Sequence, residues 1–210
     1  MKFQKLGSCI AALAFIATAG LQPATAASPY RLEVPENYQN EFTDVQTSDW
    51  FYPYLAVLNS RGMISGYGDG RIGPKDALTS GAALVMVLKA AGCGTLAPTG
   101  EHWASGYADY AVEQGFLTWE EIGDLDAPMP RVKVAELAAK ALELEPSGEA
   151  SPFADVDNGY LTALYDLGII SGSTDESGEL VFLPNQTITR AEISVIVWQV
   201  DRVHTYGKQI

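Results

Sequence analysis

The sequence predicts an all-α protein made of three helix-loop-helix units, and a constant repeat period is the first observation behind this. Triplets of one glycine and two apolar residues begin at Gly62, Gly115 and Gly168, at a spacing of 53 residues in both steps. The same spacing relates Trp50 to Trp103. A fixed period of this length is the signature of repeat architectures, in which each unit is one supersecondary motif.

Helix start and stop signals define the two helices of each unit. The first helix is predicted to end at the glycine, which readily takes the left-handed conformation after a last turn. In the first unit, Ser48 or Asp49 is the predicted cap. The second helices are predicted to start near Thr79, Pro130 and Thr189 and to cover 82–91, 132–145 and 191–203. The last of these is apolar on most sides, so the three units must share one core.

The N-terminus has the three parts of a secretory signal peptide. Lys2 and Lys5 precede an apolar stretch over 6–21, and small residues follow around Ala24 and Ala26. The stretch is shorter than the roughly 20 residues of a membrane span, so no span is expected after cleavage. The predicted organisation is a signal peptide (1–26), a linker (27–41), repeats over 42–94, 95–150 and 151–203, and a tail (204–210).

Composition excludes several classes of function. The chain has 26 acidic and 13 basic side chains and a formal net charge of −13, which disfavours nucleic acid and anionic lipid as partners. Cys93 is the one cysteine beyond the predicted signal peptide, so no intramolecular disulfide is expected. The sequence has no zinc-protease helix, nucleophile elbow, phosphate loop or metal-spaced histidines. We therefore predict a protein that is not an enzyme and needs no metal or cofactor.

Sequence signatures in the first and third units resemble a known family. They are Phe42-x-Asp44-Val45 with Gly62-Met63-Ile64-Ser65-Gly66, and Phe153-x-Asp155-Val156 with Gly168-Ile169-Ile170-Ser171-Gly172 and Thr189-Arg190-Ala191-Glu192. These segments resemble the S-layer homology repeat, and the resemblance covers about residues 42 to 203, with the second unit the most diverged. It implies a pseudo-threefold bundle with grooves between neighbouring units.

The family resemblance also implies a function. Such triplets anchor exported proteins to secondary cell-wall polysaccharide, often polymers with pyruvylated amino sugars. The implied location is outside the cell, at the cell wall of a bacterium. Other surface-layer proteins are further partners that the resemblance allows.

The Thr-Arg-Ala-Glu segment supplies candidate site residues. Thr189 and Glu192 are predicted to form a capping box at a helix start. Arg190 lies between them, where a guanidinium can hold a carboxylate through two parallel hydrogen bonds. Its alternatives are a solvated arginine or one paired with an acidic neighbour, and the resemblance favours ligand contact. The corresponding residues are Ser80 and Arg131, so at most two grooves are predicted to be competent.

Trp50 and Trp103 are the candidate aromatic contacts. Each precedes the first helix of its unit, in a region predicted to face a groove. An indole stacks well on a sugar ring and its N–H reaches a hydroxyl, but a large side chain is equally suited to packing. The sequence leaves both interpretations open.

A second function is also compatible with the sequence. The signature is degraded in the first two units, which favours a structural or protein-interaction module that kept the fold and lost the sugar site. Modules of this family normally carry a passenger domain, whereas the predicted tail over 204–210 is short. This favours the same alternative.

Overall fold

The computed structural model describes residues 32–207, and the regular secondary structure of this part of the chain is mostly helical, as predicted. The predicted signal peptide lies outside the described residues. The helices are α1 (Tyr52–Ser60), α2 (Ser80–Ala90), α3 (Ser105–Glu113), α4 (Trp119–Ile122), α5 (Arg131–Ala141), α6 (Gly159–Asp166) and α7 (Arg190–Tyr206). Two short strands, β1 (Ser173–Thr174) and β2 (Leu180–Val181), pair antiparallel.

The second helix of each unit begins where the sequence predicts it. Thr79, Pro130 and Thr189 are the N-cap residues of α2, α5 and α7. The hydroxyl oxygens of Thr79 and Thr189 accept backbone N–H groups of the first turn, which would otherwise lack a partner. Helix α7 continues to Tyr206, beyond the predicted end of the third repeat, and α5 ends at Ala141, before the predicted residue 145.

The first helices end as predicted, but the first one starts differently. Gly62, Gly115 and Gly168 follow α1, α3 and α6 with φ of 68°, 71° and 65°. The predicted cap of α1 is wrong, because its N-cap is Phe51, which makes no side-chain capping bond. The carboxylate of Asp49 instead accepts the Gln46 N–H at 2.7 Å, within the turn that precedes the helix.

The three segments that precede α2, α5 and α7 meet one another. Short antiparallel bridges join Ala77 to Thr189, Thr79 to Pro128, and Pro130 to Thr187. Each segment over 77–79, 128–130 and 187–189 therefore contacts the other two, and the pairings close into a triangle. This arrangement brings the first turns of α2, α5 and α7 close together.

The core lies among the second helices. Helix α2 contacts both α5 and α7, and α1 also contacts α7. Leu84, Leu137, Ile193 and Val200 have no exposed surface. Burying such aliphatic side chains supplies roughly 1.5–3 kcal/mol each. No helix among residues 32–207 has the length and apolarity needed to cross a bilayer.

Two aspartates fix the loops that follow the first helices. The Asp44 carboxylate accepts the N–H groups of Ile72 and Gly73 at 3.0 and 2.8 Å. Asp155 repeats this arrangement in the third unit, accepting the N–H groups of Phe182 and Leu183, both at 2.8 Å. Charge-assisted bonds of this kind are stronger than neutral ones, so each Phe-x-Asp segment holds its loop in place.

Leu183 provides a test of this loop geometry. It has φ of 61°, a left-handed conformation that is costly for a side chain with a Cβ, and the corresponding residue of the first unit is Gly73 at φ 66°. We expect Leu183→Gly to raise the free energy of unfolding by about 0.5–1 kcal/mol in urea denaturation. Gly73→Ala is the matched control and should lower the free energy of unfolding, because the new Cβ would be forced into the left-handed conformation and against the Asp76 carboxylate. A loss of stability in Leu183→Gly would contradict the assignment of strain.

Candidate functional site

Two grooves bring the predicted site residues together in pairs. The Arg190 groove is lined by Ser65, Tyr67, Thr79, Trp103, Asp126 and Arg190, and has a volume of about 320 Å³. The Arg131 groove is lined by Trp50, Arg131, Ser171, Ser173, Ile188 and Glu192, and has a volume of about 290 Å³. Each groove combines an arginine, a tryptophan and a loop that come from three different predicted repeats.

The Arg190 side chain is held by the protein itself. It is the first residue of α7 and is only 6% exposed. Its Nε donates to the Ile72 carbonyl at 2.7 Å and its Nη2 donates to the Ser65 carbonyl at 2.6 Å. The guanidinium carbon lies 4.9 Å from the centre of the Tyr67 ring, within the range of a cation–π contact. Arg190 therefore joins α7 to the loop that follows α1.

Arg190 is neither solvated nor hydrogen-bonded to an acidic neighbour within residues 32–207, the two alternatives that the sequence left open. The side chain is buried rather than solvated, and its hydrogen bonds go to backbone carbonyls rather than to a carboxylate. Burial lowers the pKa of the guanidinium below its usual value, although an arginine remains charged at neutral pH. A positive charge thus lies at the wall of the groove, with its position fixed by the fold.

Arg131 occupies the equivalent position at the start of α5 but is held more loosely. Its Nη2 donates to the Ser171 carbonyl at 3.3 Å, a longer bond than either bond of Arg190. Its Nε is buried and has no hydrogen-bond partner within residues 32–207. The guanidinium carbon lies 4.9 Å from the centre of the Phe182 ring. Burial lowers the pKa of this group as well, with the Glu192 charge acting in the opposite direction.

Both tryptophans are exposed at the grooves. Trp50 is 61% exposed and its ring meets Phe51 edge-on at 5.5 Å. Trp103 is 54% exposed and its ring lies 5.4 Å from that of His102, at an angle of 36°. The sequence left open whether each tryptophan is exposed at a groove or buried in packing, and in the structure both are exposed. An exposed indole beside an arginine is suited to stacking on a sugar ring.

The predicted capping box is present at the start of α7. Thr189 accepts the Glu192 N–H, and the Glu192 carboxylate accepts the Thr189 N–H at 2.7 Å and its hydroxyl at 2.7 Å. The box fixes the first turn of α7, which carries Arg190. Glu192 also lines the Arg131 groove, so one segment contributes to both grooves.

The third equivalent position has neither an arginine nor a tryptophan. Ser80 begins α2 and is buried, with its hydroxyl donating to the Ala127 carbonyl at 3.3 Å. The residue at the repeat spacing from Trp103 is Val156. In the second unit, beside Arg131, Lys133 takes the place of Glu192 and forms ion pairs of 2.8 Å with Glu121 of α4 and Glu136 of α5. Among the described residues, two of the three equivalent positions therefore have an arginine beside a tryptophan.

The Lys133 ion pairs give a pH-dependent contribution to stability. The hydrogen bond from Lys133 is the main cause that lowers the pKa of Glu121 to about 2. Because the folded-state pKa is depressed, the contribution is present above the usual Glu value and is lost as the pH falls to about 2. We expect Lys133→Met to cost about 1 kcal/mol of unfolding free energy at pH 7, the scale of a partly exposed ion pair.

The measurement compares urea denaturation of the two proteins from pH 7 down to pH 2.5. The difference in unfolding free energy between the unaltered protein and Lys133→Met should shrink steadily below about pH 4.5, because Glu121 of the unfolded chain becomes protonated there. Lys140→Met on the same helix is the control, since Lys140 donates to the Phe116 carbonyl instead of to a carboxylate. A difference that is constant with pH would contradict the proposed cause.

Sequence reasoning did not identify three groove residues. Tyr67 lies under the Arg190 guanidinium, and its position in a glycine-rich loop was the available signal. Asp126 lines the Arg190 groove with a side chain that is 81% exposed, and its neighbour His102 lies 3.3 Å away. The Ser171 backbone carbonyl accepts a hydrogen bond from Arg131, a contact that the sequence pattern does not predict.

Comparison with known protein families addresses the identity of the repeats. Two segments of the chain match the S-layer homology domain. They are residues 41–83, which contain α1 and the start of α2, and residues 152–193, which contain α6, the two strands and the first turn of α7. The helices α3, α4 and α5 lie between these segments. An S-layer homology domain indicates a module that associates with a bacterial cell surface.

One curated protein is also similar to the chain. It is an endoglucanase of Bacillus sp. (strain KSM-635), 26% identical over 184 residues, which cover 76% of this chain. The chain spans about a fifth of that protein, because the match covers 19% of its length. No cluster of three or more metal-ligating side chains occurs in the part of the chain that the structure describes.

Proposed function

We propose that this chain is a non-catalytic module that docks an exported protein on secondary cell-wall polysaccharide through the two grooves. The main support is the pairing of one arginine with one exposed tryptophan in each groove: Arg190 with Trp103 and Arg131 with Trp50. Stacking on a sugar ring and a guanidinium for polar groups are what saccharide recognition needs. The S-layer homology segments support the location.

The proposal includes three repeats and a pseudo-threefold bundle. Residues 42–94, 95–150 and 151–203 are the repeats, and the middle one is the diverged copy. The closed triangle of bridges before α2, α5 and α7 supports this arrangement, since each unit makes the same contact with its neighbours. Residues 1–26 are the export signal in this account, on the strength of the sequence pattern alone. Pyruvylated amino sugars fit an arginine-containing groove because the ketal carries a carboxylate.

Sedimentation with purified cell-wall sacculi tests the proposal. The chain lacking residues 1–26 is mixed with native sacculi and with sacculi whose secondary polymer has been removed. Binding to the native walls and its loss on the stripped walls are expected. Equal sedimentation with both would place the binding on peptidoglycan, and no sedimentation would reject wall docking.

The alternative is a protein-interaction module that retained the fold without sugar binding. The third equivalent position favours it, because Ser80 replaces the arginine there and is buried, with its hydroxyl donating to the Ala127 carbonyl. No tryptophan corresponds to Trp50 and Trp103 in the third unit. In that case a defined surface-layer protein would bind the chain, and substitution of Trp50 and Trp103 would leave this binding unchanged. Binding that depends on both tryptophans and on the wall polymer argues against the alternative.

A further inference from the structure

The two grooves differ in how much of the arginine charge the protein satisfies. In the Arg190 groove, the Nε and Nη2 nitrogens donate to two backbone carbonyls at 2.7 and 2.6 Å. In the Arg131 groove, the one hydrogen bond measures 3.3 Å and the buried Nε has no partner within residues 32–207. The Arg131 guanidinium therefore keeps more of its donor capacity for a ligand.

The carboxylates around the two guanidinium groups differ in the same direction. Asp126 lines the Arg190 groove with an 81% exposed side chain, which contacts His102 Nε2 at 3.3 Å. An acidic ligand that approached this groove would meet a carboxylate at its wall.

Glu192 is the acidic residue of the Arg131 groove, and it is already engaged. Its Oε2 accepts the Thr189 N–H and the Thr189 hydroxyl, both at 2.7 Å. A carboxylate that receives two hydrogen bonds repels an incoming anion less than a solvated one does, because part of its charge is compensated locally. The Arg131 groove therefore has the more favourable potential for an anion.

The Arg190 groove suits a neutral sugar. Its walls have an exposed indole for stacking, from Trp103, and a carboxylate whose oxygens can accept sugar hydroxyl protons, from Asp126. Carboxylate acceptors are effective for hydroxyl groups because the charged bond is the stronger kind.

We propose that the two grooves take different ligands: the Arg131 groove binds a carboxylate-bearing sugar, and the Arg190 groove binds a neutral sugar. This inference rests on the proposed docking to wall polysaccharide and adds a division of labour to it. Arg131 pairs with the ligand carboxylate while Trp50 stacks on its ring. Asp126 accepts hydroxyl protons while Trp103 stacks, and Arg190 holds the groove wall in place.

The test uses oligosaccharide fragments of the secondary wall polymer and the same fragments after their carboxyl groups are reduced to alcohols. The indole N–H signals of the purified protein report binding by NMR, and Trp50→Phe and Trp103→Phe variants assign them. The acidic fragments should shift the Trp50 signal, and reduction should weaken this binding by about 10- to 100-fold, the scale of a lost charged hydrogen bond. Binding at Trp103 should be as strong after reduction as before.

Two conservative variants separate the roles. Arg131→Gln should weaken the binding of acidic fragments, as measured at the Trp50 signal, by about 10-fold or more. It should leave binding measured at the Trp103 signal unchanged. Asp126→Asn keeps the side-chain size and should weaken the binding of the reduced fragments, as measured at the Trp103 signal. It should leave binding measured at the Trp50 signal unchanged.

The outcomes for the division and for wall docking are distinguishable. Equal affinity of the acidic fragments at both indoles, or no effect of carboxyl reduction at Trp50, would overturn the proposed difference between the grooves. Neither result would contradict the proposed docking on wall polysaccharide. No shift of either indole signal would overturn the proposed difference as well. Failure to sediment with native sacculi, in the assay described above, counts against the proposed function itself.

Discussion

Arg190→Ala is expected to lower the free energy of unfolding by about 3 kcal/mol, because two charge-assisted hydrogen bonds are lost. The side chain is 6% exposed and joins α7 to the Ile72 and Ser65 carbonyls of the first unit. Its removal leaves both acceptors without a donor and opens a gap against the Tyr67 ring. Urea denaturation at pH 7, analysed by linear extrapolation, measures the loss.

Arg131→Ala is the matched control for this prediction. Arg131 is also the first residue of its helix, and among residues 32–207 it has one hydrogen bond of 3.3 Å and an unpaired Nε. We expect a loss of about 1 kcal/mol, the contribution of one ordinary hydrogen bond. Equal losses in the two variants would show that Arg190 has no special structural role.

Arg61→Ala is expected to cost about 2 kcal/mol at pH 7, since it leaves a buried carboxylate without its partner. Arg61 forms an ion pair with Asp201, whose side chain is only 8% exposed. The pair connects the end of α1 to α7, the contact between the first and third units. We expect less than the full cost of a broken buried pair because the Arg61 side chain is 46% exposed.

The cost of Arg61→Ala should decrease as the pH falls. Burial raises the pKa of Asp201 above its usual value, and Arg61 is the main group that opposes this rise. A folded-state pKa above the unfolded value means that protonation favours the folded state, so the penalty of the buried charge grows with pH. Urea denaturation of Arg61→Ala at pH 4 and pH 7 should give the smaller loss at pH 4.

Asp201→Asn provides the control for the pH effect. It removes the charge with little change in shape, so Arg61→Ala should cost little more in its presence. A cost of Arg61→Ala that is the same at pH 4 and pH 7 would contradict the explanation from a buried charge.

The second helices could be predicted because their signals are local. Thr79 and Thr189 are N-caps that precede apolar runs, and the structure begins α2 and α7 directly after them. The predicted start of α1 was wrong because the Asp49 carboxylate accepts a hydrogen bond within the preceding turn. A carboxylate a few residues before a helix can cap either a turn or the helix, and the sequence does not distinguish the two. Helix α4 was missed although Thr118 and Glu121 form a capping box, since it covers only four residues.

The candidate residues could be named from the sequence, but the way they pair in the two grooves could not. Arg190 and Arg131 were named from the family resemblance of the Thr-Arg-Ala-Glu segment, and Trp50 and Trp103 from their place before the first helices. The structure pairs each arginine with the tryptophan of another predicted repeat. Such pairings depend on how the three units close on each other, which local patterns do not encode. The different burial of the two arginines likewise follows from long-range contacts to the loops after α1 and α6.

Groove-mediated docking is the central claim, and wall binding of a tryptophan double variant tests it most directly. Trp50→Ala combined with Trp103→Ala removes the exposed ring from each groove, and Trp119→Ala removes one that is 49% exposed on α4. All proteins are first shown to be folded, and their sedimentation with native sacculi is then titrated. The account predicts that the double variant binds no better than the unaltered protein binds stripped walls, while Trp119→Ala binds as the unaltered protein does. Undiminished binding of the double variant would contradict it.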